Sequence, residues 1–221
     1  MAIFDRLSTR RKVSLFATIM FILMCGIGIF AAATSDQPLG EKFKDVSEYG
    51  GEFTLRNHMG EISLSDYKGK VVIAYFGFLN CTEACPVSMG TIVSAIGRLN
   101  HEEREKLQVF FISVDPARDD LESLKQFSDY YAKRFKNEAN PNIIMAITGT
   151  EDEIDKVSDD YGVFFDLVDL EGSGLGYTVD HSSRFYMIDG NGKLITTMNH
   201  STTPTELAAR IKRMQQEADI K

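Results

Sequence analysis

The run Lys70-Val71-Val72-Ile73-Ala74-Tyr75-Phe76 is β-branched or aromatic almost throughout and shows no alternation of polar and apolar residues. A strand of that kind has to be buried on both faces of a sheet. Leu107 to Val114 reads as a second buried strand, and between the two Met89, Ile92, Val93 and Ile96 recur at helical spacing within a helix predicted from about Pro86 to Leu99. Strand, helix and strand make a βαβ unit, in which the two strands are parallel and need cover on both sides. Ligand sites of open α/β sheets gather at the carboxyl ends of the strands. The loop after Phe76 is therefore the first place to look for chemistry.

The remaining pattern extends this unit. Phe53-Thr54-Leu55 and Glu61 to Leu64 read as a small hairpin, and residues 36–51 as a linker leading into it. Asp115-Pro116-Ala117-Arg118-Asp119 is a turn that launches a helix carrying Leu121, Leu124, Phe127, Tyr131 and Phe135. Asn142 to Thr148 reads as a strand, and Thr150 to Glu153 as a capping box ahead of Ile154, Val157 and Tyr161. A glycine-containing segment, Glu171 to Gly176, then interrupts the chain. Ser183 to Asp189 and Lys193 to Met198 flank Gly190-Asn191-Gly192 as a hairpin, and Thr203 to Glu206 caps a last helix with Leu207, Ile211 and Met214 turned inward. The expected class is α/β, a mixed sheet with helices on both faces, in one domain over residues 52–221.

The front of the chain is different. No charged residue occurs from Val13 to Ser35, and about 20 apolar residues suffice to span a bilayer as a helix. Arg6, Arg10, Arg11 and Lys12 precede the run and Asp36 follows it. The positive-inside rule then makes residues 1–12 a cytoplasmic terminus, 13–35 a single inner-membrane anchor, and places the domain on the periplasmic or intermembrane-space side. Ala31-Ala32-Ala33 offers a cleavage site for a signal peptide, but the run exceeds a usual signal core, which favours an uncleaved anchor. Cys25, after Met24, reads as an inert membrane cysteine. The net charge of −8 argues against nucleic acid as a partner.

Apart from Cys25, the only thiols are Cys81 and Cys85. Three residues separate them and Pro86 suits the first turn of the following helix, so both sulfurs fall near a helix amino end, where unpaired N–H groups favour thiolate. Soft-metal binding, disulfide exchange, or both are open to such a pair; the spacing also permits a plain disulfide. His181 stands just before the strand Ser183 to Asp189. If that strand lies beside Val71 to Phe76, the imidazole can approach the sulfurs. Two thiolates and an imidazole suit copper as Cu(I) or Cu(II). A structural zinc would need a fourth ligand, and His58, His101 and His200 offer no obvious one.

Three blocks carry a resemblance. Tyr75-Phe76-Gly77-Phe78-Leu79-Asn80-Cys81-Thr82-Glu83-Ala84-Cys85-Pro86, then Ser113-Val114-Asp115-Pro116-Ala117-Arg118-Asp119, then Asp180-His181-Ser182 leading into Tyr186-Met187-Ile188-Asp189, resemble the SCO/SenC proteins in content and order. The resemblance implies a thioredoxin-like domain tethered outside the membrane, with copper held by Cys81, Cys85 and His181. It further implies cytochrome c oxidase subunit II as partner, whose dinuclear copper centre is assembled, and a thiol reductant that opens the cysteine pair. Asp115 would either position the site or serve the turn and cap a helix. Thr82 departs from many members, which have proline there, and His200 has no role to inherit.

The competing function is a thiol-disulfide oxidoreductase keeping partner cysteines reduced. Thioredoxin-type reductases use a two-residue gap and a proline ahead of the strand facing the active site, where this chain has Val179-Asp180-His181. A peroxidase of the same broad fold would need proline and threonine where Ala74 and Phe78 stand. A sensor, or a structural partner with a permanent disulfide, is the third reading. The metallochaperone, which needs no catalytic turnover, is the expectation that the residues favour.

Overall fold

The computed structural model describes residues 20, 48–135, 140–169 and 176–219. The apolar segment 13–35, Met20 excepted, and most of the linker fall outside them. No helix among the described residues is long and apolar enough to cross a membrane.

In chain order the elements are β1 (Thr54–Asn57), β2 (Gly60–Ser63), β3 (Val71–Gly77), α1 (Ala84–Ile96), α2 (His101–Glu105), β4 (Leu107–Ser113), α3 (Leu121–Ala132), β5 (Ile144–Ile147) and α4 (Glu151–Tyr161). Then follow β6 (Phe165–Asp169), β7 (Tyr177–His181), β8 (Arg184–Ile188), β9 (Leu194–Asn199) and α5 (Pro204–Asp219). Five strands form the central sheet in the order β5-β4-β3-β8-β9. β3, β4 and β5 run parallel, while β8 pairs antiparallel with both β3 and β9. The sheet is mixed, as expected, and β8 lies beside β3.

All seven residues of β3 are buried, and parity divides them between two cores. Val71, Ile73 and Tyr75 pack with Met89 and Ile92 of α1, Leu124 of α3 and Leu207 and Ile211 of α5. Val72, Ala74 and Phe76 pack on the other side with Ile154, Val157 and Tyr161 of α4 and with Leu55 and Ile62 of the β1–β2 hairpin. Helices therefore cover both faces. The expected capping box of α4 forms, with the Glu153 amide donating to Thr150 Oγ1 and the Thr150 amide to Glu153 Oε2. In the β8–β9 turn Asp189 Oδ1 accepts from the amides of Asn191 and Lys193. Gly192 takes φ +82 there, a conformation open to glycine.

Four local readings change. α1 starts at Ala84 rather than Pro86, so Cys85 is already helical. Leu121 is 37% exposed: as the first residue after the Asp120 cap it sits outside the packed stripe of α3. Tyr49 and Gly50, at the end of the expected linker, already meet α4, where the Gly50 amide donates to Asp160 O at 2.7 Å. Finally, β6 and β7 pair as a separate two-stranded ribbon in the register Phe165↔His181 and Asp169↔Tyr177. β6 is acidic and largely exposed, so no buried stripe marked it as a strand. Of the Glu171 to Gly176 segment, only Gly176 lies within the described residues.

Candidate metal centre

β3 ends with Gly77 opposite Ser113 of β4, and the chain leaves the sheet's carboxyl edge there as the cysteine loop. The Cys81 amide donates to Phe78 O at 3.3 Å, which turns the loop toward α1. The cap of α1, Glu83, makes no side-chain cap hydrogen bond. Cys81 Sγ does so instead, accepting the Cys85 amide at 3.3 Å, and Pro86 has no N–H to satisfy. A sulfur thus takes the place usually filled by a serine or aspartate oxygen, at the positive end of the helix.

Cys85 is 3% exposed. Its Sγ accepts from the Tyr75 hydroxyl at 3.8 Å and lies 3.7 Å from His181 Nε2. The sulfur fits because position 77 is glycine: a Cβ there would come within 2.9 Å of both Cys85 Sγ and a carbon of the Phe111 ring. His181 ends β7, with its ring edge-on to Phe78 at 5.8 Å and to Tyr75 at 6.3 Å. Its Nδ1 is buried and has no hydrogen-bond partner among the described residues.

One ligand atom each from Cys81, Cys85 and His181 lies within 4.8 Å of the others, and no other such group of histidine, cysteine or acidic residues occurs among the described residues. His58, His101 and His200 are exposed. Cys81 and His181 border a depression open to solvent, together with Phe78, Glu83, Val179 and Asp180. Cys85 sits behind them.

Both thiols are free, and they are electrostatically unequal. The Cys85 side chain hydrogen-bonds to Cys81 and holds the Cys81 thiol well below the usual range; burial opposes this, while His181 and the amides of Cys85 and Glu83 reinforce it. That same hydrogen bond, with burial behind it, pushes Cys85 up. These shifts favour the thiolate at the half-buried Cys81 and the proton at the buried Cys85. A soft metal entering from the depression would meet the thiolate and the imidazole first, and would displace the Cys85 proton on binding.

Asp115 does not cap α3, contrary to one reading of the turn. Asp120 caps it, accepting the Ser123 amide at 2.7 Å, because the Asp-Pro turn takes one residue more than the sequence suggested. Asp115 is instead 2% exposed and paired with Arg118 at 2.6 Å. Gly77 and Tyr75 both border the Cys85 sulfur, and neither was identified as doing so from sequence. Burial pushes the Asp119 carboxyl above its usual range, against hydrogen bonds from Ser113 and the Leu79 amide that lower it.

A family model described as SCO1/SenC matches residues 41–216. A SCO2-like protein of Rickettsia felis is 31% identical over 202 residues, covering 88% of this chain and 94% of that protein. Among solved structures, Bradyrhizobium japonicum ScoI with copper bound superposes with a TM-score of 0.63 at 30% identity, over 75% of this chain and 99% of that one. BsSco, a member of the Sco family of cytochrome c oxidase assembly proteins in which a disulfide switch has been identified, superposes with a TM-score of 0.57 at 26% identity, over 80% of this chain and 99% of that one.

Proposed function

Since this chain belongs to the SCO1/SenC family, we propose that it is a membrane-anchored copper chaperone whose cargo is held by Cys81, Cys85 and His181 and delivered to the dinuclear copper centre of cytochrome c oxidase subunit II. The observation that carries this reading is the convergence of two thiols and an imidazole within 4.8 Å. Two soft sulfurs suit Cu(I), and nitrogen with sulfur also accommodates Cu(II). Three protein donors leave a position open to an incoming ligand, so the metal can pass to an acceptor by stepwise exchange without being released. The thioredoxin-like domain, over residues 52–221, then works outside the membrane, with segment 13–35 as anchor and residues 1–12 in the cytoplasm.

A copper titration of the reduced protein tests the ligand set. One copper per chain with thiolate-to-copper absorption is expected. Cys81→Ser or Cys85→Ser should abolish it, and His181→Ala should weaken it while the Cys81–Cys85 disulfide still forms. A double cysteine variant that still holds one copper would overturn the assignment. Transfer is tested separately, by incubating the loaded protein with the reduced copper-binding domain of subunit II and following where the metal goes.

The inequality of the two thiols favours a second reading, a thiol-disulfide oxidoreductase. The Cys81 thiolate would attack a partner disulfide and expel one partner thiolate. Cys85, giving up its proton, would then attack the mixed disulfide and release the second. The partner gains two electrons and the Cys81–Cys85 pair loses them, so a thiol reductant must reset it. This activity would survive His181→Ala, whereas copper delivery would not.

A further inference from the structure

The turn Asp115-Pro116-Ala117-Arg118-Asp119 touches both halves of the metal centre without contributing a donor atom to it. One arm reaches the cysteine loop. Asp119, 1% exposed, accepts the Leu79 amide at 2.9 Å and the Ser113 hydroxyl at 2.6 Å through the same oxygen. Leu79 lies two residues before Cys81, so the carboxylate fixes the loop just ahead of the first sulfur.

The other arm reaches the ribbon that ends in His181. Arg118 Nε donates to Asp115 Oδ2 at 2.6 Å, and its Nη1 donates to the Tyr177 carbonyl at 2.8 Å. The Tyr177 hydroxyl returns a hydrogen bond to Asp115 Oδ1 at 2.8 Å, and the guanidinium carbon stands 3.6 Å from the centre of the Tyr177 ring. Tyr177 opens β7 and His181 closes it, so the anchor and the imidazole sit at opposite ends of one short extended strand.

Both arms spring from the end of β4. The Asp115 amide donates to Ser113 Oγ at 3.1 Å, the Asp119 amide to Asp115 O at 2.9 Å, and the Val114 amide to Gly77 O at 2.9 Å. A turn that merely reversed the chain would need only those bonds. Burying the two carboxylates, Asp115 and Asp119, and partly burying the Arg118 guanidinium costs desolvation that ion pairing recovers poorly, so stability alone gives little reason for them. We propose that Asp119, on one arm, and Asp115, Arg118 and Tyr177, on the other, are positioning residues for copper that fix the spacing between the cysteine loop and His181; this rests on the ligand assignment above.

The test uses the full chain in detergent, with copper alone as probe. Copper affinity by chelator competition, the thiolate-to-copper absorption and amide hydrogen exchange are measured for Asp119→Ala, Asp119→Asn, Arg118→Lys and Tyr177→Phe. Supporting groups of metal ligands are worth about 10- to 100-fold in affinity. A loss of that size with a shifted absorption band is expected for Asp119→Ala and Arg118→Lys. Tyr177→Phe, which keeps the ring beneath the guanidinium, should lose less, and Asp119→Asn, which keeps an acceptor oxygen, should recover most of the affinity. Exchange should quicken at Leu79 in Asp119→Ala, much less so in Asp119→Asn, and along β7 in Arg118→Lys and Tyr177→Phe. Arg56→Ala, which breaks a pair with Glu153 remote from the turn, should leave copper unaffected.

Wild-type affinity and spectrum in both Arg118→Lys and Tyr177→Phe would overturn the proposal, whatever Asp119→Ala does to folding. A wild-type chain that takes up no copper would overturn the ligand assignment instead. Exchange at Leu79 and β7 would then decide by itself whether the turn holds the two halves, and unchanged exchange in all variants would refute it.

Discussion

Gly77→Ala tests the packing of the buried sulfur. The added Cβ would lie 2.9 Å from Cys85 Sγ, 2.9 Å from Cε2 of Phe111 and 3.1 Å from its Cζ. Non-bonded carbon contacts settle at about 3.5–4.0 Å, so about 0.4–0.6 Å or more of overlap must be relieved at these contacts. Phe111 has little freedom to give, being fully buried with its ring 4.4 Å from that of Phe127. The Cys85 side chain therefore moves. Overpacking of this kind costs about 1–3 kcal/mol, which in a chain of this size lowers Tm by about 2–12 °C. Metal–ligand distances tolerate only about 0.2 Å, so the displaced sulfur should also weaken copper by tenfold or more, on the scale of about 10–100-fold for a disturbed ligand support. Thermal unfolding of the reduced, metal-free protein and chelator competition measure the two effects. Gly90→Ala is the matched control: its Cβ meets nothing within 4 Å, and inside α1 it should stabilise by about 0.5–1 kcal/mol with copper unchanged. Wild-type Tm and affinity in Gly77→Ala would refute the close approach of sulfur to the end of β3.

In the reduced protein at pH 6, iodoacetamide should modify Cys81 and spare Cys85, read by mass spectrometry; equal labelling, or Cys85 first, would reverse the assignment of the thiolate. The same inequality sets a pH dependence. The Cys81 pKa is held down to about 3, so its thiolate contributes stability that is complete above the unfolded thiol range, near pH 8.5. That contribution declines below it and is lost as pH falls through about 3. Cys81→Ser should flatten that part of the stability–pH curve, and an unchanged slope would count against it. Tyr75→Phe removes the hydroxyl that donates to Cys85, 3.8 Å from its sulfur; loss of about 0.5–1.5 kcal/mol and slower closure of the disulfide are expected, by denaturant unfolding and by timed thiol trapping. Deleting residues 1–35 should leave a soluble domain that binds copper with full affinity, and aggregation or loss of binding would argue against a simple tether.

The sheet was legible because β3 and β4 are apolar along their whole length, a pattern that needs no knowledge of their neighbours. The capping boxes and the β8–β9 turn were legible for the same reason, since their bonds join residues a few positions apart. The site was legible only in part. Scarcity of thiols and their helical spacing marked Cys81 and Cys85, and motif order marked His181. The role of Gly77 depends on a sulfur and a Phe111 ring reaching one strand end from two other elements. Arg118 meets Tyr177 across 59 positions and through a ribbon whose first strand is mostly exposed, so nothing local announced either partner. Asp115 was read as a possible cap because Asp-Pro turns often precede helices; Asp120 is an equally good cap one turn later.

This division has a thermodynamic consequence. The two sulfurs are neighbours in any state of the chain, whereas the imidazole joins them only when β8 has paired with β3 and the ribbon is anchored. An unfolded chain keeps a thiol pair able to hold Cu(I), and that residual affinity subtracts from the stabilisation that copper gives the native state. At a thousandfold excess over Kd a ligand specific to the native state contributes about 4 kcal/mol, so the observed increment should fall short of that by the affinity of the unfolded thiol pair. His181→Ala should shrink the increment further while leaving the metal-free stability nearly unchanged. If copper stabilised the variant as much as the wild type, the imidazole would add nothing to the metal site that the local thiol pair does not already provide.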